Sequence, residues 1–384
     1  MKRIKILLIG LLVCTTNYMC IGQSNNSVKE DLQYFLDSLI INDSSIYNSV
    51  FLVQTPDEIY KIASGLADPA NNIKMHVDDQ FFGASTTKML ISTIIMLLEE
   101  ENKLNINDPI NKYIEDTLLD GLHTIDGKSY VPQITIKHLL THTSGLNSFW
   151  SDEFIGIMME NQDHLWHPYE LIQVAKKSDP ATFKPGESWE YTDLGYILLG
   201  LIIEKVTKDN IMNVSREILF NPLGMDHTYW QFREKERPSI PGRGPSHCFR
   251  GDFDYTYMVS LSADWAGGGM RTTCEDLNKF MQAFLSNDIF KNPETIDRMR
   301  EWINTEKYGD KLFYGYGIFK YIFDECDHPM FANRDIIIGH QGASGSFMWH
   351  FKERNISISG TVNQMNEEKI FEVIINVIRI LENK

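Results

Sequence analysis

From residue 27 the chain opens on Ser27-Val28-Lys29-Glu30, a capping box, after which Val28, Leu32, Phe35, Leu36 and Leu39 recur at helical spacing. This predicts an amphipathic helix. Residues 49–54 and 59–64 are β-branched and aromatic runs flanking Thr55-Pro56-Asp57-Glu58, the pattern of a hairpin. Near the other end, residues 335–339, 346–351 and 356–362 read as three further strands joined by short polar turns. Asn366 then caps a closing helix, with Glu367 and Glu368 at its positive end and Ile370, Ile374, Ile378 and Leu381 on one face. Between about residues 88 and 300 helical periods dominate, with few convincing strands. The expected architecture is an α/β (α+β) fold, an antiparallel sheet built from both chain ends, covered by the N- and C-terminal helices, with a large mainly helical insertion. The sheet lobe is expected over residues 27–87 and 300–384 and the helical lobe over 88–299, with a ligand cleft between them.

The start of the chain changes where this domain is expected to work. Lys2, Arg3 and Lys5 precede an apolar run, residues 6–14, that is too short to span a bilayer. With small Cys20 and Gly22 ahead of Gln23, residues 1–22 read as a signal peptide and residues 23–384 as an exported, periplasmic or secreted domain with no stable membrane insertion after cleavage. Removing those three basic residues and no acid takes the formal charge from -16 to -19. So acidic a chain repels phosphate backbones, which argues against nucleic acid as a partner. Apolar residues at 43% and charged residues at 23% are ordinary globular values, so length and not cross-linking supplies the core. Cys248, Cys274 and Cys326 remain after cleavage, with no Cys-x-x-Cys among them. His164 and His167 form a His-x-x-His pair without the intervening Glu of zinc proteases, so no metal or other cofactor is expected.

Candidate chemistry starts at Gly83-Ala84-Ser85-Thr86-Thr87-Lys88, which contains the only Ser-x-x-Lys of the chain and leads into Met89, Leu90, Ile91, Ile94, Ile95, Met96, Leu97 and Leu98. A helix with almost no polar face is buried between layers. Its N-terminus then brings Ser85 and Lys88 to the junction of sheet and helical lobe, where an amine three residues from a hydroxyl can take its proton.

Two further stretches follow in order: Trp189-Glu190-Tyr191-Thr192-Asp193-Leu194-Gly195 and Gly339-His340-Gln341-Gly342. With Ser85 and Lys88 they resemble the Ser-x-x-Lys, Tyr-x-Asn and Lys/His-x-Gly elements of the serine beta-lactamase and penicillin-binding protein superfamily. The resemblance is strongest to its class C beta-lactamase and D-alanyl-D-alanine carboxypeptidase-like branch, supported by residues 134–146, Pro222-Leu223-Gly224-Met225 and Ala266-Gly267-Gly268-Gly269-Met270. It implies that Ser85 carries an acyl group, that Lys88 and Tyr191 share the proton traffic, and that the backbone N–H groups of Ser85 and Ala343 face the oxyanion beside Gly342. His340, standing where penicillin-binding enzymes have lysine, is then expected to donate to a substrate carboxylate or to Tyr191 with a pH-dependent charge. His142, in Thr141-His142-Thr143-Ser144-Gly145, is expected to be a hydrogen-bonded core histidine, and Cys274 not to be a catalytic thiol.

Asp193 departs from the pattern, because an ionised carboxylate only accepts hydrogen bonds whereas the usual Asn also donates. Beta-lactam hydrolysis becomes doubtful. A carboxylate there also favours the charged form of Lys88. Three arrangements stay open: Asp193 protonated or turned away, Tyr191 carrying more of the base role, or Asp193 receiving a cationic substrate group. The leading expectation is an exported serine hydrolase acting on a small ester, amide or peptide. An α/β-hydrolase is weakened by the absence of Gly-x-Ser-x-Gly, and a non-catalytic sensor of peptidoglycan fragments or beta-lactams by the retention of Ser85, Lys88 and Tyr191 together.

Overall fold

A computed structural model describes residues 27–178, 180–305 and 309–383. The expected signal peptide lies outside these residues. The capping box forms as read: Ser27 Oγ accepts from the Glu30 N–H, and the Glu30 carboxylate accepts from the Ser27 N–H at 2.7 Å, starting the helix Val28–Asn42.

The expected hairpin pairs Asn48–Gln54 with Ile59–Asp68, and Thr55 closes its turn through hydrogen bonds with Glu58. The C-terminal strands are Asp335–Gln341, Ser346–Phe351 and Ile356–Thr361, and the last of them pairs with Asn48–Gln54. Both chain ends therefore share one antiparallel sheet, as the patterning predicts. The helices Val28–Asn42 and Glu367–Glu382 pack together on one of its faces, burying Leu32, Leu36, Ile370, Ile374 and Ile378 against Phe51, Trp349 and Ile358.

The sheet is larger than expected, with nine strands among the described residues. Ile303–Asn304, Leu312–Tyr314 and Phe319–Phe323 extend it beyond Asp335–Gln341. Their sequence, aromatic but broken by Gly315 and Gly317, hides a strand pattern that appears only when a neighbouring edge supplies the hydrogen bonds. The strand Asp335–Gln341 also runs two residues further than its apolar pattern, carrying His340 and Gln341 to the sheet end.

Residues 84–299 are mainly helical, with short strands such as Met270–Thr272, which pairs with Phe81–Phe82 and Tyr229–Trp230. The helix Thr87–Glu100 is buried almost all round, as its apolar sequence requires. It packs on Asp193–Thr207 and on the short helix Trp265–Gly268. No helix among the described residues is long and apolar enough to cross a membrane.

Candidate active site

Ser85 lies in a single 3-10 turn, Ala84–Thr86, that leads directly into Thr87–Glu100. Ala84, with φ +43°, occupies the left-handed region that a residue with a Cβ rarely adopts, at a cost of about 1–2 kcal/mol. That kink turns the serine out of the buried helix. Lys88, one turn on, is completely buried, and its Nζ reaches Ser85 Oγ at 2.9 Å.

The lysine has two other partners, Asp193 Oδ1 at 2.5 Å and the Gly267 carbonyl oxygen at 2.6 Å. Three acceptors match the three N–H donors of an ammonium. Asp193 is the first residue of the helix Asp193–Thr207, capped by Thr192, so its charge also faces the positive helix end. Its second oxygen, Oδ2, accepts from Trp150 Nε1 at 2.9 Å. Of the three arrangements open from sequence, the carboxylate is not turned away, and both oxygens are committed within the protein.

Tyr191 stands in the extended segment just before that helix, its ring centroid 5.0 Å from Lys88 Nζ. His142 holds the segment from below. Its carbonyl accepts from the Glu190 N–H at 3.0 Å, and its Nδ1 accepts from the Thr192 N–H at 3.3 Å. The imidazole lies 4.2 Å from the Tyr191 ring, centroid to centroid. Burial and the Lys88 charge push His142 well below the usual histidine range, which keeps Nδ1 free to accept. The structure places this histidine as expected, in the core and hydrogen-bonded, and adds that it holds the N–H groups of both residues next to Tyr191, Glu190 and Thr192.

His340 is used differently from the expectation. Its Nδ1 lies 2.7 Å from the Gln341 carbonyl oxygen and its Nε2 3.2 Å from the Tyr314 hydroxyl, so Nδ1–H donates to the carbonyl and Nε2 accepts from the phenol. Both nitrogens are thereby occupied, and the ring centroid stands 6.4 Å from that of Tyr191. Burial, reinforced by the Lys88 charge, pushes the imidazole down to about 3, so it is neutral across the ordinary pH range and not a pH-dependent cation.

Gly342 and Ala343 lie against the turn bearing the serine. A Cβ on Gly342 would come 2.7 Å from the Gly83 carbonyl oxygen and 2.8 Å from Ala84 Cβ, so only glycine permits this approach. Ser344 Oγ donates to the Phe82 carbonyl at 2.7 Å and Ser346 Oγ to the Gly83 carbonyl at 2.5 Å. These two hydroxyls stitch the 342–346 turn to the segment before Ser85 and bring Ala343 beside it. Neither serine carries a sequence signal, because the register of that turn emerges only when the strands pair.

Trp150 and Asp264 complete the surroundings of Lys88 and also escape motif reading. Asp264 ends the 3-10 segment Val259–Asp264, and its carboxyl is pushed up to about 7 by burial and by the nearby Asp193 charge, against the opposing pull of Lys88. Cys248 and Cys274 are buried thiols whose desolvation raises them out of the reactive range, Cys248 to about 12. His164 pairs with Glu170 at 3.1 Å, and His167 precedes the helix Pro168–Lys177.

The fold has extensive counterparts. D-amino acid amidase from Ochrobactrum anthropi SV3 superposes with a TM-score of 0.77 at 22% identity, covering 94% of this chain and 100% of the other. The octameric penicillin-binding protein homologue from Pyrococcus abyssi gives a TM-score of 0.71 at 22% identity over 92% and 77%. In sequence, esterase EstB of Burkholderia gladioli is 28% identical over 211 residues, 52% of this chain and 51% of the relative. The putative penicillin-binding protein PbpX of Bacillus subtilis is 28% identical over 243 residues, 63% of this chain and 56% of the relative. The chain thus spans little more than half the length of these two curated relatives. The Beta-lactamase family model matches residues 45–381, which include every site residue described above, and on that match the chain belongs to the beta-lactamase family.

Proposed function

We propose that the protein is a serine hydrolase that forms an acyl-enzyme on Ser85 and cleaves a small ester or an amide, of esterase or D-aminopeptidase/carboxypeptidase type. The observation that carries this reading is the 2.9 Å contact of Lys88 Nζ with Ser85 Oγ at a kinked helix start. Similarity to an esterase in sequence and to a D-amino acid amidase in fold supports the substrate range.

In this reading Ser85 Oγ bonds to the substrate carbonyl carbon while its proton passes to the phenol oxygen of Tyr191 in the phenolate form. Lys88, fully hydrogen-bonded as an ammonium, orients Oγ and stabilises the phenolate charge. The backbone N–H groups of Ser85 and Ala343 receive the oxyanion. The carbon–oxygen or carbon–nitrogen bond of the leaving group then breaks, and that group departs with the proton from Tyr191. Water repeats the sequence on the acyl-enzyme and releases the acid. Asp193 offers no N–H to an acylamido carbonyl, so penicillins and cephalosporins are expected to be poor substrates.

The test is a panel of nitrocefin, p-nitrophenyl esters and D-aminoacyl amides, run with wild type and Ser85→Ala, together with fluorophosphonate labelling read by intact mass. Turnover of an ester or amide that disappears in Ser85→Ala, with one label on wild type, is the expected result. Absence of any Ser85-dependent acylation would sink the proposal.

A further inference from the structure

His142 stands at a backbone position that favours glycine. The helix Ile136–Leu140 ends with Thr141 as its cap, and His142 follows with φ +59°, in the left-handed region. The Thr143 N–H donates to the His138 carbonyl at 3.0 Å and the His142 N–H to the Leu139 carbonyl at 3.4 Å, the paired bonds of a Schellman helix end. Glycine is the usual residue at this point of such an end, with asparagine next, because a Cβ there is strained. The histidine is also completely buried, and its Nε2 has no hydrogen-bond partner among the described residues. Neither the helix end nor the core gains from a histidine here: glycine would relieve the strain, and an apolar side chain would leave no polar atom unmet.

What the side chain does contact is the segment that carries Tyr191. Residues 188–192 belong to neither a helix nor a strand, so no ladder of their own fixes them. The stretch 142–147 supplies the hold instead. The Glu190 N–H donates to the His142 carbonyl at 3.0 Å, the Thr192 N–H to His142 Nδ1 at 3.3 Å, and the Thr192 hydroxyl to the Asn147 carbonyl at 3.0 Å. Two of these three bonds end on His142, one from each neighbour of Tyr191. The imidazole itself packs 4.2 Å from the Tyr191 ring, which also has Lys88 Nζ at 5.0 Å and the Phe319 ring stacked at 6.2 Å. A nitrogen that accepts must lack a proton, and burial together with the Lys88 charge keeps the imidazole in that state.

We propose that His142 is a positioning residue for the reaction: by holding Glu190 and Thr192 it fixes the Tyr191 ring beside Lys88. This rests on the acyl-enzyme reading above, in which Tyr191 takes the proton of Ser85. Misplacing a reacting group by about 1 Å is enough to lower a rate by about 100-fold.

The experiment measures fluorophosphonate labelling of Ser85 against probe concentration in wild type, His142→Gly and His142→Asn, each also combined with Tyr191→Phe. Both substitutions suit the left-handed helix end, but only asparagine keeps an acceptor one bond beyond Cγ, where Nδ1 stands. His142→Gly is expected to lower the maximal labelling rate by about 100-fold while the half-saturating concentration stays within about threefold. His142→Asn should recover to within about tenfold of wild type, and His142→Gly should change the Tyr191→Phe rate by less than about threefold. A His142→Gly rate within about threefold of wild type, an asparagine variant no faster than the glycine one, or a full loss repeated in the Tyr191→Phe background overturns the assignment. Unlabelled wild type removes the acyl-enzyme reading itself, and a Tyr191→Phe rate equal to wild type removes the base role of Tyr191, in either case taking this assignment with it. If His142→Gly does not fold, wild type and His142→Asn decide. The Thr192 N–H should then exchange slowly with solvent in both, and rapid exchange in wild type, or slow labelling of folded His142→Asn, overturns the assignment.

Discussion

Replacing Asp193 by Asn tests the central arrangement of the site, because two donors approach two different oxygens of one side chain. Lys88 Nζ lies 2.5 Å from Oδ1 and Trp150 Nε1 lies 2.9 Å from Oδ2. An amide has one oxygen and one NH2 group, so Asn can satisfy only one of these donors. The fully buried ammonium is the costlier to abandon, and the NH2 group is then forced against the Trp150 N–H. Losing a hydrogen bond to a charged acceptor costs about 1.5–3 kcal/mol, and breaking a buried ion pair about 3–5 kcal/mol. Because Asn keeps one acceptor for Lys88, the lower end applies, about 3 kcal/mol of stability. At about 2.1 cal/mol/K per residue for 384 residues, that lowers Tm by about 4 °C. The assay is a double-mutant cycle of Asp193→Asn and Trp150→Phe by denaturant unfolding. Trp150→Phe should cost about 1.5–3 kcal/mol in wild type and little in the Asp193→Asn background, where its bond is already lost. Additivity within about 0.5 kcal/mol, or an Asp193→Asn protein as stable as wild type, would refute the reasoning.

Three further outcomes follow from the same geometry. Gly342→Ala places a Cβ 2.5 Å from Ser346 Oγ and 2.7 Å from the Gly83 carbonyl oxygen, so the turn must withdraw from Ser85. Overpacking of about 1–3 kcal/mol and a fall in kcat/KM of about 100-fold are expected, and a variant within about threefold of wild type would contradict the role given to that contact. Asp264 has a folded pKa above its unfolded value, so its protonated form favours folding below about 4 and that contribution is lost as pH rises towards about 7. The Tm of Asp264→Asn minus that of wild type should therefore be more positive at pH 8 than at pH 4, and a constant difference would count against the buried carboxyl. His340 is shifted the other way, to about 3, so the unfolded chain takes up its proton first as pH falls below about 6.5. Wild type should accordingly lose stability relative to His340→Gln on acidification from pH 7 to pH 4, and equal losses would show that the imidazole is not buried neutral.

The sheet core is legible because its strands and covering helices carry their own patterns. The capping box at Ser27, the turn at Thr55 and the Asn366 cap are local hydrogen-bond arrangements that a short stretch of sequence specifies by itself. The strands at 303–323 are not legible, since Gly315 and Gly317 interrupt the alternation and only pairing with Asp335–Gln341 makes Phe319–Phe323 a strand. The same boundary runs through the site. Ser85 and Lys88 meet across one helical turn, a separation that spacing predicts. Trp150 meets Asp193 across 43 positions and Ser344 meets Phe82 across 262, and no pattern in either segment announces the partner.

Asp193 shows how a single departure from a motif becomes intelligible only with its neighbours. An Asn at this position could not accept from Lys88 and from Trp150 at once, whereas a carboxylate accepts from both. In the reading proposed above, Lys88 acts as a donor to Asp193, Gly267 and Ser85, and proton transfer is assigned to Tyr191. Lys88, Asp193 and Trp150 thereby form one hydrogen-bonded unit in which all three donors of the lysine are engaged.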